Sequence, residues 1–304
     1  MKRYGFLMVI LGSVLWGTDS LFRRPLSQQL SPITIVFLEH AILVLVLVPL
    51  LLRSRKELAR LNVRDWVALG FIAVGGSVAA TALFTYAIKY GNPSVTVLLQ
   101  KTQPFFTILL ARWLLAEKPG VWFWMLLPPA LTGAYLVAAP DWRAGFSLNP
   151  GQPSCIIAAI AASCLWGAST VFGRYIVARL PIMTLTGLRF ALALPVLVVL
   201  YFGQAPAGRQ LPTTVPSLSA VAAMALIPGL AALVCYYRGL LSTIASHASV
   251  GELAFPLTAV AANWFVLGIG LALSQLLGGL LLVASVTVLT LLSAGNSKSQ
   301  PEHA

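Results

Sequence analysis

"SVLWGTDSLFRRPL" occupies Ser13–Leu26, and "SCLWGASTVFGRYI" occupies Ser163–Ile176. A constant offset of 150 pairs Ser13 with Ser163, Leu15 with Leu165, Trp16 with Trp166, Gly17 with Gly167, Phe22 with Phe172 and Arg24 with Arg174. The offset carries on to Glu39 and Arg189. Further along it becomes 152, pairing Ser94 with Ser246, Gln100 with Glu252 and Pro104 with Pro256, and Tyr86 falls approximately opposite Tyr237, at an offset of 151. The chain is one phrase written twice, in repeats that span residues 1–145 and 146–304.

The setting of the repeat is apolar. Of 304 residues, 59% are hydrophobic and 9% charged, with a mean hydropathy of +0.88. A soluble domain carries roughly 25% charged residues, so the polar side chains here are too few to cover a water-facing surface. Apolar runs near the ~20-residue spanning length recur, which predicts an all-α polytopic membrane protein. The runs are continuous, unlike the alternating segments of about ten residues in a membrane barrel. Cutting at "LSP", "GNPS", "EKPG" and "NPGQP" gives ten spans at 4–22, 32–52, 66–88, 94–115, 121–139, 154–174, 182–202, 218–240, 247–269 and 272–293. The N-terminal segment reads as the first span rather than a cleaved leader, because its pattern recurs in mid-chain.

The net charge of +12 would point to nucleic acid in a soluble protein. In a membrane chain it sets orientation instead. Thirteen Lys and Arg residues fall on the N-terminal side, many of them in "RSRKELARLNVRDW" (53–66), against five on the other. Both termini, including a short C-terminal tail, are therefore expected in the cytoplasm of a cell whose inner membrane holds the protein. Each repeat holds five spans, an odd number, so the second repeat enters from the opposite face. The expected fold is two inverted-topology five-helix repeats, an arrangement that lets a transporter exchange the shapes of its halves.

The "LWG" phrase opening each half, ten spans, and "QPFFTILLARWLLAEKPG" (103–120) together resemble the EamA type of the drug/metabolite transporter superfamily, and most of all the YddG-type aromatic amino-acid exporters. The resemblance covers nearly the whole chain. It implies export of amino acids, aromatic ones among them, with no cofactor and no catalysis. One departure is visible: Glu117 has no counterpart in the second half, where "LGIGLALSQ" stands.

Several residues are candidates for contact with a small-molecule substrate. Pro104 and Pro256 kink their helices at matching positions and free the carbonyls of Gln100 and Glu252. Backbone irregularity at membrane depth belongs where it lines protein or a water-filled cavity. Gln100 and Glu252 lie on polar stripes of the two kinked helices. Trp16 and Trp166 stand about mid-span, either as aromatic walls of a cavity or as packing residues, and Tyr86 and Tyr237 are weaker candidates of the same kind. Ionisable groups inside a membrane point to function; here they are Glu39, His40, Lys101, Arg189 and Glu252. By depth, Glu39 is expected to pair with Lys101 and Arg189 with Glu252, as gating contacts or as structural bridges. His40 is of a type that titrates near neutral pH, but a lone histidine is more often a hydrogen-bonded packing residue. No Walker loop, HExxH or other metal or catalytic constellation is present in the sequence, and the three cysteines read as packing residues. A multidrug or cationic-compound exporter and a passive channel are the alternative functions. In the expected orientation Arg143 lies outside the cell, so a cysteine there should react with a membrane-impermeant maleimide applied to intact cells; labelling only from the cytoplasmic side contradicts the topology.

Overall fold

The computed structural model describes residues 2–115, 120–138, 152–177, 179–240, 251–252 and 254–296. Helices occupy all ten predicted positions, and the described residues contain no strand. The first span is α1 (Lys2–Gly17) and α2 (Asp19–Gln29), joined at Thr18, whose hydroxyl bonds the Leu15 carbonyl at 2.7 Å. Then come α3 (Pro32–Arg53), the short α4 (Arg55–Leu58), α5 (Val63–Phe71) and α6 (Ala80–Tyr90). The fourth span is split into α7 (Pro93–Gln100) and α8 (Gln103–Leu115), and α9 (Val121–Ala138) closes the first half. The second half holds α10 (Gln152–Val177), α11 (Ile182–Gly203), α12 (Val215–Met224), α13 (Ala232–Leu240), α14 (Ala254–Phe265) and α15 (Leu273–Asn296).

Among the described residues, six stretches are long and apolar enough to cross a membrane: Gly5–Gln29, Pro32–Arg53, Val63–Tyr90, Pro153–Gly173, Met183–Gly203 and Val215–Tyr236. Val121–Val137 and Leu273–Leu289 are shorter apolar helices. Besides the turn at Thr18, two of the six contain a stretch that is not α-helical. Ile72–Ala79, between α5 and α6, and Ala225–Ala231, between α12 and α13, are π-helical. The wider π turn accommodates an extra residue and often marks a functional site. Here it occurs at corresponding places in the two halves.

Packing crosses between the halves. Helix α1 lies against α13 and α14, and its counterpart α10 lies against α6 and the α7–α8 pair. Helix α3 packs on α11, and α9 on α15. The glycine of each "LWG" explains the closeness of the first set. A Cβ on Gly17 would stand 2.6 Å from Thr258 Cβ and 2.9 Å from the Phe255 carbonyl oxygen. One on Gly167 would stand 3.0 Å from Phe106 Cβ and 3.2 Å from the Gln103 carbonyl oxygen. Gln103 and Phe255, like Phe106 and Thr258, are 152 apart, so the same glycine admits the same neighbour twice. Small residues let backbones approach where lipid supplies no hydrophobic drive between helices.

Overpacking of this kind costs about 1–3 kcal/mol. Gly17→Ala should therefore lower the melting temperature in detergent, whereas Gly173→Ala, with nothing within 4 Å of its Cβ position, should leave it unchanged or raise it.

Candidate functional site

The fourth span breaks rather than bends. Helix α7 ends at Gln100, Lys101 and Thr102 form a turn, and α8 starts at Gln103. Pro104 sits in the first turn of α8, where a missing N–H would have had no intrahelical partner. The Gln100 carbonyl, released from the helix, accepts the Ser163 hydroxyl at 3.1 Å, and Ser163 also lies 2.9 Å from the Thr102 hydroxyl. Gln103 donates to Thr170 at 3.3 Å. The second copy of the repeated phrase thus supplies hydroxyls to the broken helix of the first half.

In the ninth span, Glu252 stands in a turn just ahead of α14. Pro256 lies in the first turn of α14, and the Glu252 carbonyl accepts the Phe255 N–H at 3.2 Å. Helix α1 faces this break through Gly17. Trp16 packs on Tyr236 with ring centroids 4.9 Å apart, and the Tyr236 hydroxyl donates to the Glu252 carboxylate. Lys101 joins the two breaks: its ammonium lies 4.5 Å from the centre of the Phe255 ring and within electrostatic reach of Glu252. Trp16, Tyr236, Glu252, Lys101 and Phe255 therefore form one connected group, contributed by both halves. Beside it, Gln100 Oε1 is buried with no hydrogen-bond partner among the described residues. The group offers an aromatic face, a cation and a carboxylate within a membrane-spanning bundle.

The charge pairing differs from the one that depth alone suggests. Glu39 is bound by Arg23 at 3.0 Å, not by Lys101. Arg189 donates to the Ser77 hydroxyl at 2.8 Å, not to Glu252, and it lies near enough to Glu39 to interact electrostatically. The reason is lateral. Glu39 and Arg189 stand on the packed pair α3–α11, whereas Lys101 and Glu252 stand at the breaks, where α7 packs on α14. Arg23 is almost fully buried on α2. It also bonds Asp19 at 2.6 and 2.8 Å and the Thr85 hydroxyl at 3.0 Å. Its i,i+4 spacing to Asp19 is the signal the sequence offers for this pairing.

The remaining candidates are dispersed. Trp166 donates its indole N–H to the Gly76 carbonyl at 2.9 Å, in the first π-helical stretch, and packs on Phe84. His40 is buried; its Nδ1 bonds the Val36 carbonyl at 2.9 Å and its ring meets Phe190 edge-on, with Nε2 unpartnered among the described residues. Tyr86 donates to Ser154 at 3.3 Å and packs on Tyr90. The side chain of Tyr237 lies outside the described residues. Its neighbour Tyr236, not singled out from the sequence, is the one that reaches Glu252.

A helical bundle built from two like halves, with a mixed polar and aromatic group where their broken helices meet, defines a membrane transporter for a small molecule. The pattern of the EamA-like transporter family matches residues 3–139 and again residues 153–291, and the chain belongs to that family. It is 29% identical over 293 residues to the riboflavin transporter ImpX of Fusobacterium nucleatum subsp. nucleatum, covering 93% of this chain and 96% of that one. It is 24% identical over 301 residues to the uncharacterized inner membrane transporter YicL of Salmonella typhimurium, covering 95% and 96%. A solved structure titled "Crystal structure of protein" shares the fold, with a TM-score of 0.64 at 19% identity over 98% of this chain and all of that one.

If Lys101 and Glu252 are partners, neutralising either leaves a lone charge in an apolar bundle, which is strongly unfavourable. Lys101→Met and Glu252→Gln should each lower the melting temperature, and the double variant should recover part of the loss. The cycle pairing Lys101→Met with Glu39→Gln should be additive; coupling there instead would restore the pairing by depth.

Proposed function

We propose that the chain is an inner-membrane secondary transporter of ten spans, with both termini cytoplasmic, in which two inverted five-helix halves alternate access to a central site. The observation that supports this best is the meeting of the two broken helices. Each is packed against the "LWG" helix of the other half, and Lys101 and Glu252 join them. Discontinuous helices placed at the interface of repeats are where secondary transporters hold their cargo. The conversion between two states needs only that the halves exchange conformations.

The cargo is an amino acid carried outward, aromatic ones included. A zwitterion suits a cation and a carboxylate in one group, and Trp16 with Phe255 suits its ring. Trp16, Gln100, Lys101 and Glu252 make up the inner contacts. Trp166, His40, Tyr86 and Tyr237 are candidates for contacts in other stages of the cycle. A second reading, riboflavin, is favoured by the named relative and by the open acceptor of Gln100, which suits a ring N–H. A flavin ring system stacks on the same aromatic residues but has no carboxylate for Lys101.

Counterflow in proteoliposomes tests both. Unlabelled substrate on the trans side should accelerate uptake of label if the protein is a carrier; a channel shows no acceleration. With phenylalanine, tryptophan, threonine and riboflavin as cargo, Trp16→Ala should reduce phenylalanine and tryptophan counterflow about tenfold and threonine far less, because lost ring contacts of ~1.4 kcal/mol correspond to a factor of ten. Lys101→Met should abolish amino-acid counterflow; riboflavin counterflow that survives it selects the second reading.

A further inference from the structure

The two ends of the bundle are not alike. At the end away from the N-terminus, α6 packs on both α2 and α3. At the other end, α13 takes the place of α6 and has no comparable packing on α11 or α10 among the described residues. The difference coincides with Arg23. From α2, its guanidinium spans Asp19 on its own helix, Glu39 on α3 and Thr85 on α6. The positions that exchange of the halves brings to the same place are Ser169, Gly173, Arg189 and Tyr237. Gly173 has no side chain to reach with, and Arg189 is a cation where Glu39 is an acceptor.

A second polar group follows the same rule. The Ser20 hydroxyl donates to Asn263 Oδ1 at 2.6 Å, and Asn263 Nδ2 donates to Ser94 at 3.0 Å, tying α2 to α14 and α7. Its exchanged positions are Thr170, Ala111 and Ser246, and an alanine in the middle cannot bridge. One pair of contacts is matched at the two ends. Asp65 accepts from Arg179 at 2.7 Å at one, and Ser217 donates to Gln29 at 2.9 Å at the other, with partners related by the same offsets. At the Arg23 end Lys89 adds a further α6–α2 contact, donating to the Leu30 carbonyl at 3.0 Å, and its exchanged position is Leu241.

We propose that Arg23 is the latch of a gate at this end, and that the lack of a counterpart at Gly173 makes the substrate-free protein rest closed there and open at the other end. The proposal rests on the alternating-access reading. Under the orientation given above, the latched end faces outward, so the resting carrier is open to the cytoplasm, as suits an exporter awaiting cargo. Opening must separate α6 from α2 and α3 and bring water to Arg23 and Glu39, since a desolvated charge left alone is strongly unfavourable.

Distances between spin labels test this in the full chain in nanodiscs, without substrate, with Cys155, Cys164 and Cys235 replaced by serine. Labels at Gln28→Cys and Tyr90→Cys report the latched end, and labels at Arg60→Cys and Arg238→Cys report the other. The parent should show a short Gln28–Tyr90 distance. Arg23→Gln should add a longer one, raising the open-to-closed ratio about tenfold, while the Arg60–Arg238 distance shortens. An unchanged Gln28–Tyr90 distribution overturns the latch, as does lengthening of both pairs together, which signals loosened packing. Should Arg23→Gln not fold, Glu39→Gln decides by the same two readings, because it keeps the Asp19–Arg23 pair. Absence of trans-acceleration in the unlabelled protein would instead remove the carrier reading, and the two failures are therefore distinct.

Discussion

A peptide carbonyl or N–H exposed to hydrocarbon costs several kcal/mol, so a backbone that leaves its helix inside a membrane must find partners in another helix. The fourth and ninth spans both leave their helices. The Gln100 carbonyl is met by Ser163 of the other half, and Thr102 by the same hydroxyl, whereas the Glu252 carbonyl accepts the Phe255 N–H of its own half. Gly17 of the first half stands against Phe255 and Thr258 of the second by close packing. The first half does not complete its own broken helix, and this constraint makes the two repeats a single structure rather than two domains joined by a loop.

The same constraint gathers the chemistry. A broken helix places side chains of its turn, here Lys101, where an unbroken one would place buried apolar residues. Lys101 can reach Phe255 and the neighbourhood of Glu252 because the α7–α8 turn opens toward α14. Tyr236 then connects Glu252 to Trp16. Charge, ring and hydroxyl come together at the meeting of the two breaks, where the bundle is least regular.

Much of this was legible in the sequence, to a limit set by what a one-dimensional pattern contains. Apolar runs and turn residues located the helices, and the prolines located the breaks, including the freed carbonyl of Gln100. Depth along a span was also readable. The direction in which a residue faces around its helix was not, and for that reason Glu39 was matched with Lys101 when Arg23 was at hand. Counting cations by side treats each one near a span end as solvated, which hid Arg23 on the buried face of α2. Tyr236 was passed over for Tyr237 because an offset pairs residues by type, Tyr86 with Tyr237, and does not say which of two neighbouring rings on α13 faces Glu252.

The π-helical stretches set a limit on the lengths this chain can tolerate. An α-helix turns about 100° per residue, and a π turn absorbs one residue without moving the helix ends apart by much. Thr85, which holds Arg23, follows the turn at Ile72–Ala79; Tyr236, which holds Glu252, follows the one at Ala225–Ala231. Deleting one residue from either turn would restore a plain helix and leave Thr85 or Tyr236 on the interior face, whereas a residue added to a stretch already α-helical swings everything beyond it by about 100°. Changes in loop length leave that angle alone. The third and eighth spans therefore work as counted lengths of chain: outside the π turn, a single added residue decides which side chains face the bundle interior.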